Sequence, residues 1–445
     1  MGSLAPQSNI HIVYVAVPGY GHVRPLRSLA KSLSKAGYNA TFVTGDAFQD
    51  SLECIPNVDF HSFQGKSNIH PERVFEQWPE RAQQPQDATI AIWDVEHVFF
   101  GCMDGWFNAL QTVLARPELA DKRVVLITDG FQTGVLPISL DTPQTRRVPV
   151  LAIANFPLLA LSKDTAPFGF GLPSQGEEKN EEMNRMVVQA FSGVSAVANS
   201  LLQKYDCKRE MTVRTPMDYM FHTPEAYLQL TVPQMEYPRT DAPPGFAFIG
   251  TLLGANDNRG FPSWGQDFIV EDSSKPLVVV TSGTVASIDA HQLIIPTIEA
   301  CRDLPVRLVV CAVNAPIPEN YDLPANVRVA TWLPFEDLFK HAAIVVTNGG
   351  YGGINQAFAA GLPMVLAGLT EDKIETTARA ANTGAAINLK TQTPSVEQVR
   401  DALKTVLEVD SYRVKAKQLQ KTYAEYDTVG IIEETVLELA DRFYR

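Results

Sequence analysis

The chain has 445 residues and a formal net charge of −13 at pH 7, because 37 Lys and Arg stand against 50 Asp and Glu. This acidic balance argues against a nucleic-acid-binding protein, which needs a basic surface. Hydrophobic residues make up 45% and charged residues 20% of the chain, a composition typical of folded globular proteins. At about 150 residues per domain the length predicts two or three domains, and a cleft between them is the expected place for chemistry.

The cysteine and histidine patterns predict no metal site. The five cysteines include no Cys-x-x-Cys pair, and neighbouring histidines such as His61 and His70 lie too far apart for a zinc motif. The N-terminus has no basic leader followed by a cleavage site, and no run of about 18 apolar residues occurs. We therefore expect a cytoplasmic protein with reduced cysteines and no transmembrane segment.

The chain opens with a strand-helix-strand pattern. Residues 10–17 (IHIVYVAV) are an apolar, β-branched run that ends at Pro18-Gly19, which predicts a buried parallel strand. From Arg24 onward apolar residues recur every three or four positions until Gly37, which favours a helix C-terminus. The run NATFVTG predicts the second strand. This unit indicates an α/β, Rossmann-like domain.

A second α/β domain is predicted after residue 275. It contains six strand-like runs separated by helical stretches: PLVVVTSGT, VRLVVCAV, NVRVATW, AAIVVTNGG, PMVLAG and GAAINL. A Pro-rich stretch without periodicity between the two halves predicts a linker. We expect domains at residues 1–232 and 247–425, the linker at 233–246, and a C-terminal helix at 426–445.

The first candidate for chemistry is the segment PGYGHVRP, residues 18–25, which places His22 on the turn after the first strand. Ligands of parallel sheets bind at this edge. A dinucleotide motif Gly-x-Gly-x-x-Gly would need a glycine where Arg24 stands. Asp46 is a candidate to bind the ribose of such a dinucleotide, so a nicotinamide enzyme stays open as an alternative. The remaining alternative is that His22 only caps the following helix.

Asp129 is a candidate partner for His22. It ends the apolar run RVVLIT, a predicted strand whose carboxyl end lies at the same edge. A carboxylate raises the pKa of a neighbouring histidine, whereas the positive end of a helix favours the neutral ring. The balance predicts a ring that titrates near neutral pH, where a general base works best. The alternative is that Asp129-Gly130 only turns the chain.

The second candidate is the segment TNGGYGGINQAFAAGLPMVLAG, residues 347–368, where four glycines fall within five positions. Between a strand and a helix, such glycines let backbone N–H groups approach an anion, and the helix dipole adds attraction. The pattern predicts a phosphate site. Close helix-strand packing is the alternative explanation for the glycines.

Four separated motifs together resemble the UDP-dependent glycosyltransferases of the two-domain GT-B fold. They are GHVRP at residues 21–25, ITDGF around Asp129, TWLP at residues 331–334, and NGGYGGINQAFAAGLPMV followed by TEDK. The glycine-rich and TEDK patterns are most similar to the fungal and bacterial branch that glycosylates macrolides, phenols and other small lipophilic acceptors. The resemblance implies two facing Rossmann-like domains with a cleft between them. It also implies that the C-terminal helix packs back on the N-terminal domain.

Residue roles follow from this resemblance. His22 would deprotonate an acceptor hydroxyl in the N-terminal, acceptor-binding domain, and Asp129 would orient it. Trp332 would stack on uracil, Ser282 would lie beside the diphosphate, and Asp372 would contact sugar hydroxyls. The full implied donor site consists of Gly21 from the N-terminal domain and, from the C-terminal, nucleotide-sugar-binding domain, Ser282, Gly283, Thr284, Trp332, Leu333, Asn348, Gly349, Gly350, Gly352, Gly353, Gln356, Glu371, Asp372 and Lys373.

Four positions depart from the usual family pattern. Asn348 replaces a phosphate-facing His, Gly353 a hydroxyl residue, Gln356 a ribose-binding Glu, and Lys373 a Gln beside the sugar. Each replacement keeps a workable role, because amides donate hydrogen bonds and an ammonium can meet a sugar oxygen or a phosphate. UDP-glucose is the expected donor, with other UDP-hexoses behind it.

The acceptor site is less defined by sequence. Residues 93–107 (WDVEHVFFGCMDGWF) are dense in aromatic side chains, so Trp93 and Phe100 are candidate acceptor contacts, although such stripes also form plain core. Phe131 has the better positional argument because it follows Asp129 directly. An aromatic acceptor is expected, and a sterol or macrolide also fits.

The expected activity is an inverting hexosyl transfer from a UDP-sugar to a hydroxyl of a small lipophilic acceptor. The sequence has no Asp-x-Asp motif, so we expect neither a metal nor another cofactor, and the UDP-sugar acts as co-substrate. Two alternatives stay open: a nucleotide-sugar-binding protein without transfer activity, and a GT-B-type sugar-nucleotide epimerase or hydrolase. No nucleic-acid partner is expected.

Overall fold

The computed structural model describes residues 9–84, 90–209, 211–252, 260–283, 289–313 and 315–445. Within these ranges seven parallel strands form the first sheet, in the order β3-β2-β1-β4-β5-β6-β7. Their bounds are β1 (Ile10–Val15), β2 (Asn39–Thr44), β3 (Val58–Ser62), β4 (Arg123–Thr128), β5 (Val150–Ala154), β6 (Ala226–Gln229) and β7 (Phe246–Phe248).

The second sheet contains the six strands predicted after residue 275. Their order across the described part of the chain is β10-β9-β8-β11-β12-β13, again all parallel. Their bounds are β8 (Leu277–Thr281), β9 (Arg307–Cys311), β10 (Val327–Ala330), β11 (Ile344–Thr347), β12 (Met364–Leu366) and β13 (Ala386–Asn388). The strand order reverses between β1 and β4 and between β8 and β11, and such switch points are where open α/β sheets bind ligands.

Helices cover both faces of each sheet. Around the first sheet lie α1 (Tyr20–Lys35), α2 (Gln49–Glu53), α3 (Val74–Gln77), α4 (Ile90–Asp94), α5 (Met103–Leu114), α6 (Leu136–Ser139), α7 (Glu177–Ala190), α8 (Ser192–Lys204) and α9 (Pro216–His222). The rest of the chain contributes α10 (Ile294–Cys301), α11 (Phe335–Leu338), α12 (Tyr351–Ala359), α13 (Lys373–Asn382), α14 (Val396–Glu408), α15 (Asp410–Ala424) and α16 (Thr428–Phe443). Short π-helical turns occupy Val95–Phe100 and Gln266–Glu271.

Strand β1 is buried along its whole length and contributes to two hydrophobic clusters. Val13 faces the cluster that contains α5, whereas Tyr14 faces the cluster that contains α1 and α16. Successive side chains of a strand point to opposite faces, so a strand buried on both sides must be apolar throughout. Ile432 and Val436 of α16 belong to the same cluster as Tyr14, which places the last helix against the first sheet.

Helix α1 begins earlier than the sequence predicted. It starts at Tyr20 after Gly19, so His22 lies in its first turn and not on a preceding loop. Pro25 stands inside the helix and supplies no N–H to the Gly21 carbonyl one turn earlier. Asn155 Nδ2 donates to that carbonyl instead, at 3.3 Å.

The predicted linker ends too early. Phe246–Phe248 forms β7, which pairs with β6 at the edge of the first sheet. The sequence assigned residue 247 onward to the second domain because the Pro-rich composition masks this three-residue strand. The first sheet therefore extends to Phe248.

None of the helices in the described ranges combines the length and the apolar character that crossing a membrane requires.

Candidate active site

His22 and Asp129 meet at the carboxyl edge of the first sheet. Strands β1 and β4 are hydrogen-bonded neighbours, so the first turn of α1 lies beside the residue that follows β4. His22 Nδ1 lies 3.1 Å from Asp129 Oδ2. The backbone N–H groups of Val17 and Phe131 donate to Oδ2 and Oδ1 of Asp129 at 2.6 and 2.8 Å. Two backbone N–H groups therefore fix the position of the carboxylate that contacts the imidazole.

The environment of His22 makes it a stronger base than a free histidine. Burial lowers its pKa, but the charge and hydrogen bond of Asp129 and the charges of Asp372 and Glu371 outweigh burial, so the pKa lies above 6.5. The His22 side chain is 28% exposed and that of Asp129 is 3% exposed. Among the described residues, none gives His22 Nε2 a hydrogen-bond partner. Nε2 is available to a substrate.

The glycine-rich segment follows β11 at the carboxyl edge of the second sheet. Gly349 has φ +92°, and a Cβ there would lie 2.4 Å from Thr377 Cγ2, so both its conformation and its surroundings require glycine. Gly350 caps α12, and a Cβ on Gly350 or Gly353 would meet open space. Gly352 faces Asn155 of the first sheet, whose Nδ2 would lie 3.1 Å from an added Cβ.

Two residues after β8 lie next to this segment because β8 and β11 are paired. Asn348 Nδ2 donates to the Ser282 carbonyl. Ser282 is 1% exposed, and its hydroxyl has no partner in the part of the chain that the structure describes. Gly283 has φ +74° and packs against Asn348. Thr284 lies outside the described residues.

Three more of the predicted donor residues lie along the same edge. Trp332 and Leu333 follow β10, with Trp332 partly exposed and Leu333 in the core. Gln356 is partly exposed in the second turn of α12. Gly21 is exposed in the first turn of α1, on the opposite side of the interface.

Three consecutive charged residues, Glu371, Asp372 and Lys373, lead into α13. Glu371 is exposed and has φ +56°. Lys373 is 4% exposed, and its ammonium donates to the Glu371 carboxylate. The ammonium has three donors, so the contact with Glu371 leaves the predicted contact of Lys373 with a sugar or phosphate oxygen a prediction. Burial is the main cause that raises the pKa of Asp372, with Glu371 adding to it and Lys373 opposing it.

The predicted acceptor residues separate into two groups. Phe131 lies 6.5 Å from His22 between ring centroids and packs against Phe99 and Phe156. Trp93 is partly exposed and stacks on His97. The prediction that Phe100 contacts the acceptor is wrong, because this residue is 1% exposed inside the core of the first sheet and cannot touch a ligand there.

A pocket that the sequence did not reveal lies beside Phe131. Its volume is about 10 Å³, and it is lined by Gly130, Phe131, Phe156, Leu159, Ala160, Met217, Met220, Phe221 and Tyr227. These side chains come from the ends of β4 and β5, from α9 and from β6. These segments are far apart in the sequence, so no local sequence pattern predicts that they meet. Only the order of the strands in the sheet could have predicted this pocket. In the described ranges, no three His, Cys, Asp or Glu side chains group as metal ligands would.

Known proteins resemble this chain over nearly its whole length. Residues 297–435 match the family model described as Erythromycin biosynthesis protein CIII-like, C-terminal domain. UDP-glycosyltransferase 2 of Phaeomoniella chlamydospora is 35% identical over 451 residues, covering 98% of this chain and 97% of that protein. UDP-glucosyltransferase B1 of Starmerella bombicola is 31% identical, covering 96% of this chain and 98% of that protein. The solved glycotransferase of kitacinnamycin has a TM-score of 0.71 at 18% identity, covering 96% and 98% of the two chains.

Two parallel α/β sheets whose carboxyl edges face each other define the GT-B fold of glycosyltransferases, which confirms the predicted fold. The chain belongs to the UDP-glycosyltransferase family. It is an enzyme that transfers a glycosyl group from a UDP-sugar, as the sequence predicted.

Proposed function

We propose that this enzyme transfers glucose from UDP-glucose to a hydroxyl group of a small, lipophilic, aromatic acceptor, with inversion at the anomeric carbon. The observation that carries the proposal is the 3.1 Å contact between His22 Nδ1 and Asp129 Oδ2. This contact fixes the proton on Nδ1 and leaves the Nε2 lone pair for the acceptor.

The proposed step is a single displacement. Nε2 of His22 removes the proton of the acceptor hydroxyl while that oxygen attacks the anomeric carbon. The bond from this carbon to the β-phosphate oxygen breaks, and UDP leaves with the bonding electrons. Asp129 stabilises the imidazolium that forms, and the proton then passes to solvent. Attack from the face opposite the leaving group inverts an α-linked donor to a β-glycoside.

The donor would lie along the second sheet. The N–H groups at the start of α12, near Gly350, are suited to the diphosphate, as is the Ser282 hydroxyl, for which the described residues supply no partner. Trp332 would stack on uracil, Gln356 would bind the ribose, and Asp372 would accept hydrogen bonds from sugar hydroxyls. Glucose is supported by the name of a relative, UDP-glucosyltransferase B1, at 31% identity. None of these roles requires a metal.

The acceptor would bind in the first domain. The pocket beside Phe131 is lined by aromatic, aliphatic and methionine side chains, which favour an apolar ligand. Its volume of about 10 Å³ is roughly the space of one water molecule, so the lining side chains would have to move to admit a ring, and the rest of the acceptor would lie along the cleft.

A paired substrate screen tests this function. Purified enzyme would be incubated with UDP-glucose, UDP-galactose or UDP-glucuronic acid, each against pooled phenols, sterols and macrolides, and products would be identified by mass spectrometry. We expect glucosides of phenols, with the β configuration by NMR. Retained configuration would refute the displacement, UDP binding without any glycoside would indicate a binding protein, and a new sugar from donor alone would indicate an epimerase or hydrolase.

A further inference from the structure

A buried ion network joins the two halves of the molecule behind the cleft. Arg379 on α13 donates through Nε to Glu236 Oε2 at 2.7 Å and through a terminal nitrogen to Glu375 Oε2. The three residues are 4%, 5% and 1% exposed, respectively. The Arg379 guanidinium also lies over the Tyr237 ring, 4.6 Å from its centroid. We call these three charged residues the Arg379 triad.

The remaining oxygens of the two glutamates hold one loop at both of its ends. This loop, residues 158–171, follows β5 in the first domain. At its start Leu158 N–H donates to Glu236 Oε1 at 3.3 Å. Near its end Gly169 and Gly171 N–H donate to Glu375 Oε1 at 2.9 and 2.6 Å. Arg379 thus links the acceptors that hold both ends of the loop.

The loop and α13 each reach a part of the site. Leu159 and Ala160 in the loop line the pocket beside Phe131. Helix α13, which carries Glu375 and Arg379, begins directly after Asp372. The triad therefore connects the loop that forms one wall of the proposed acceptor pocket with the turn that would face the sugar.

We propose that Glu375 and Arg379 are positioning residues that set the 158–171 loop against α13, and thereby align the bound acceptor with the donor sugar. The identities of acceptor and sugar rest on the proposed function. A buried ion pair often contributes less to stability than apolar residues of the same volume. Here Glu236 also accepts from one backbone N–H and Glu375 from two, in a loop that has no sheet partner, so these charges help to fix the two ends of the loop.

The glycine at the end of the loop offers a test that leaves every charge in place. Gly171 has φ +61°, and a Cβ there would lie 2.9 Å from Ile374 Cγ1 and 3.0 Å from the Ile374 carbonyl. Gly171→Ala should push the loop away from α13. Gly176→Ala is the matched control, because Gly176 has φ +91° but a Cβ there would meet nothing within 4 Å.

For Gly171→Ala we expect kcat/KM for the acceptor to fall about 10- to 100-fold, the cost of misplacing a substrate by roughly 1 Å. UDP affinity by calorimetry should stay within twofold, because the nucleotide site does not include the loop. Hydrogen exchange in residues 165–172 should become faster. Gly176→Ala should change neither acceptor kinetics nor exchange in this segment. Equal losses in both variants, or a loss of UDP affinity equal to the loss of kcat/KM, would overturn the proposal.

A second pair of variants tests the glutamate itself. Glu375→Gln keeps an oxygen for the two glycine N–H groups, whereas Glu375→Ala removes it, so the alanine variant should show the faster exchange and the larger loss of acceptor kcat/KM. Glu181→Gln, at the ion pair of Glu181 with Arg214 on the surface, controls for loss of a carboxylate charge. If the amide hydrogens of residues 165–172 exchange as slowly in Glu375→Ala as in the wild type, the positioning role is refuted. Hydrogen exchange and UDP affinity need no acceptor, so a wrong acceptor class would leave these two readouts intact.

Discussion

Asp129 Oδ2 contacts His22 Nδ1 and, on the same oxygen, the backbone N–H of Val17, five residues before the histidine. The carboxylate therefore connects β4 to the end of β1 and orients the ring at the start of α1. A base held in this way loses little freedom when a substrate binds, because the sheet has already fixed its tautomer and its direction.

Replacing His22 by Ala removes the proposed base. We expect kcat to fall about 10²- to 10⁴-fold, the usual contribution of general base catalysis, while UDP affinity by calorimetry stays unchanged. His341→Ala is the control, since this histidine is exposed and lies in the second half of the chain. Turnover of His22→Ala equal to that of the control would remove His22 from the mechanism.

Replacing Asp129 by Asn tests the pKa of the base. In the wild type the Asp129 charge favours protonated His22, so the pKa lies above 6.5 and kcat/KM should decrease as the pH falls through it. In Asp129→Asn burial acts without that charge and lowers the pKa. The acidic limb should therefore move to lower pH while the maximal rate decreases, because the amide can also stabilise the wrong tautomer. A profile of kcat/KM between pH 5 and 9 measures both effects, and an unmoved acidic limb would show that another group titrates.

The sequence predicted the features that depend on neighbouring residues. Apolar runs indicated β1, β4 and all six strands of the second sheet, and parallel strand ends predicted that His22 and Asp129 share an edge. The predicted start of α1 was wrong, because the sequence began the apolar helical pattern at Arg24, whereas the helix begins at Tyr20 and Asn155 satisfies the carbonyl that Pro25 leaves free.

Features that depend on distant residues could not be read in the same way. Glu236 and Arg379 are 143 positions apart, and charged residues of this kind usually indicate a solvent-facing surface. Phe100 looked like a ligand contact because aromatic density does not distinguish core from pocket. The lining of the acceptor pocket likewise needs the strand order to bring α9 beside β5.

Substitution of Gly349 tests the predicted phosphate site. Gly349→Ala introduces strain at φ +92° and a contact at 2.4 Å with Thr377 Cγ2, which should shift the start of α12 and weaken UDP binding at least tenfold. Gly353→Ala in the same helix meets open space and should raise the free energy of unfolding by about 0.5–1 kcal/mol, since Ala is the better helix former. Calorimetric titration with UDP and urea denaturation measure the two effects. UDP affinity retained in Gly349→Ala would place the diphosphate elsewhere.

His11 should make the first domain sensitive to acid. Its ring is 8% exposed and contacts Thr41 Oγ1 at 3.0 Å. Burial, helped by Arg116 and Lys122 and opposed by Asp59 and Glu118, lowers its pKa from 6.5 to about 4. Below pH 6.5 the unfolded chain binds a proton that the folded chain does not accept until about pH 4, so this residue lowers stability progressively across that window. The loss approaches 3 kcal/mol at about 1.4 kcal/mol per pH unit.

The matched comparison is His11→Gln against His341→Gln, followed by urea denaturation at pH 7 and pH 4.5. Gln keeps a hydrogen-bonding group for Thr41 but does not titrate, so His11→Gln should lose less stability than the wild type between the two pH values. His341→Gln, at an exposed position, should follow the wild type. Parallel losses in all three proteins would mean that acid unfolding is driven by carboxylates and not by this buried imidazole.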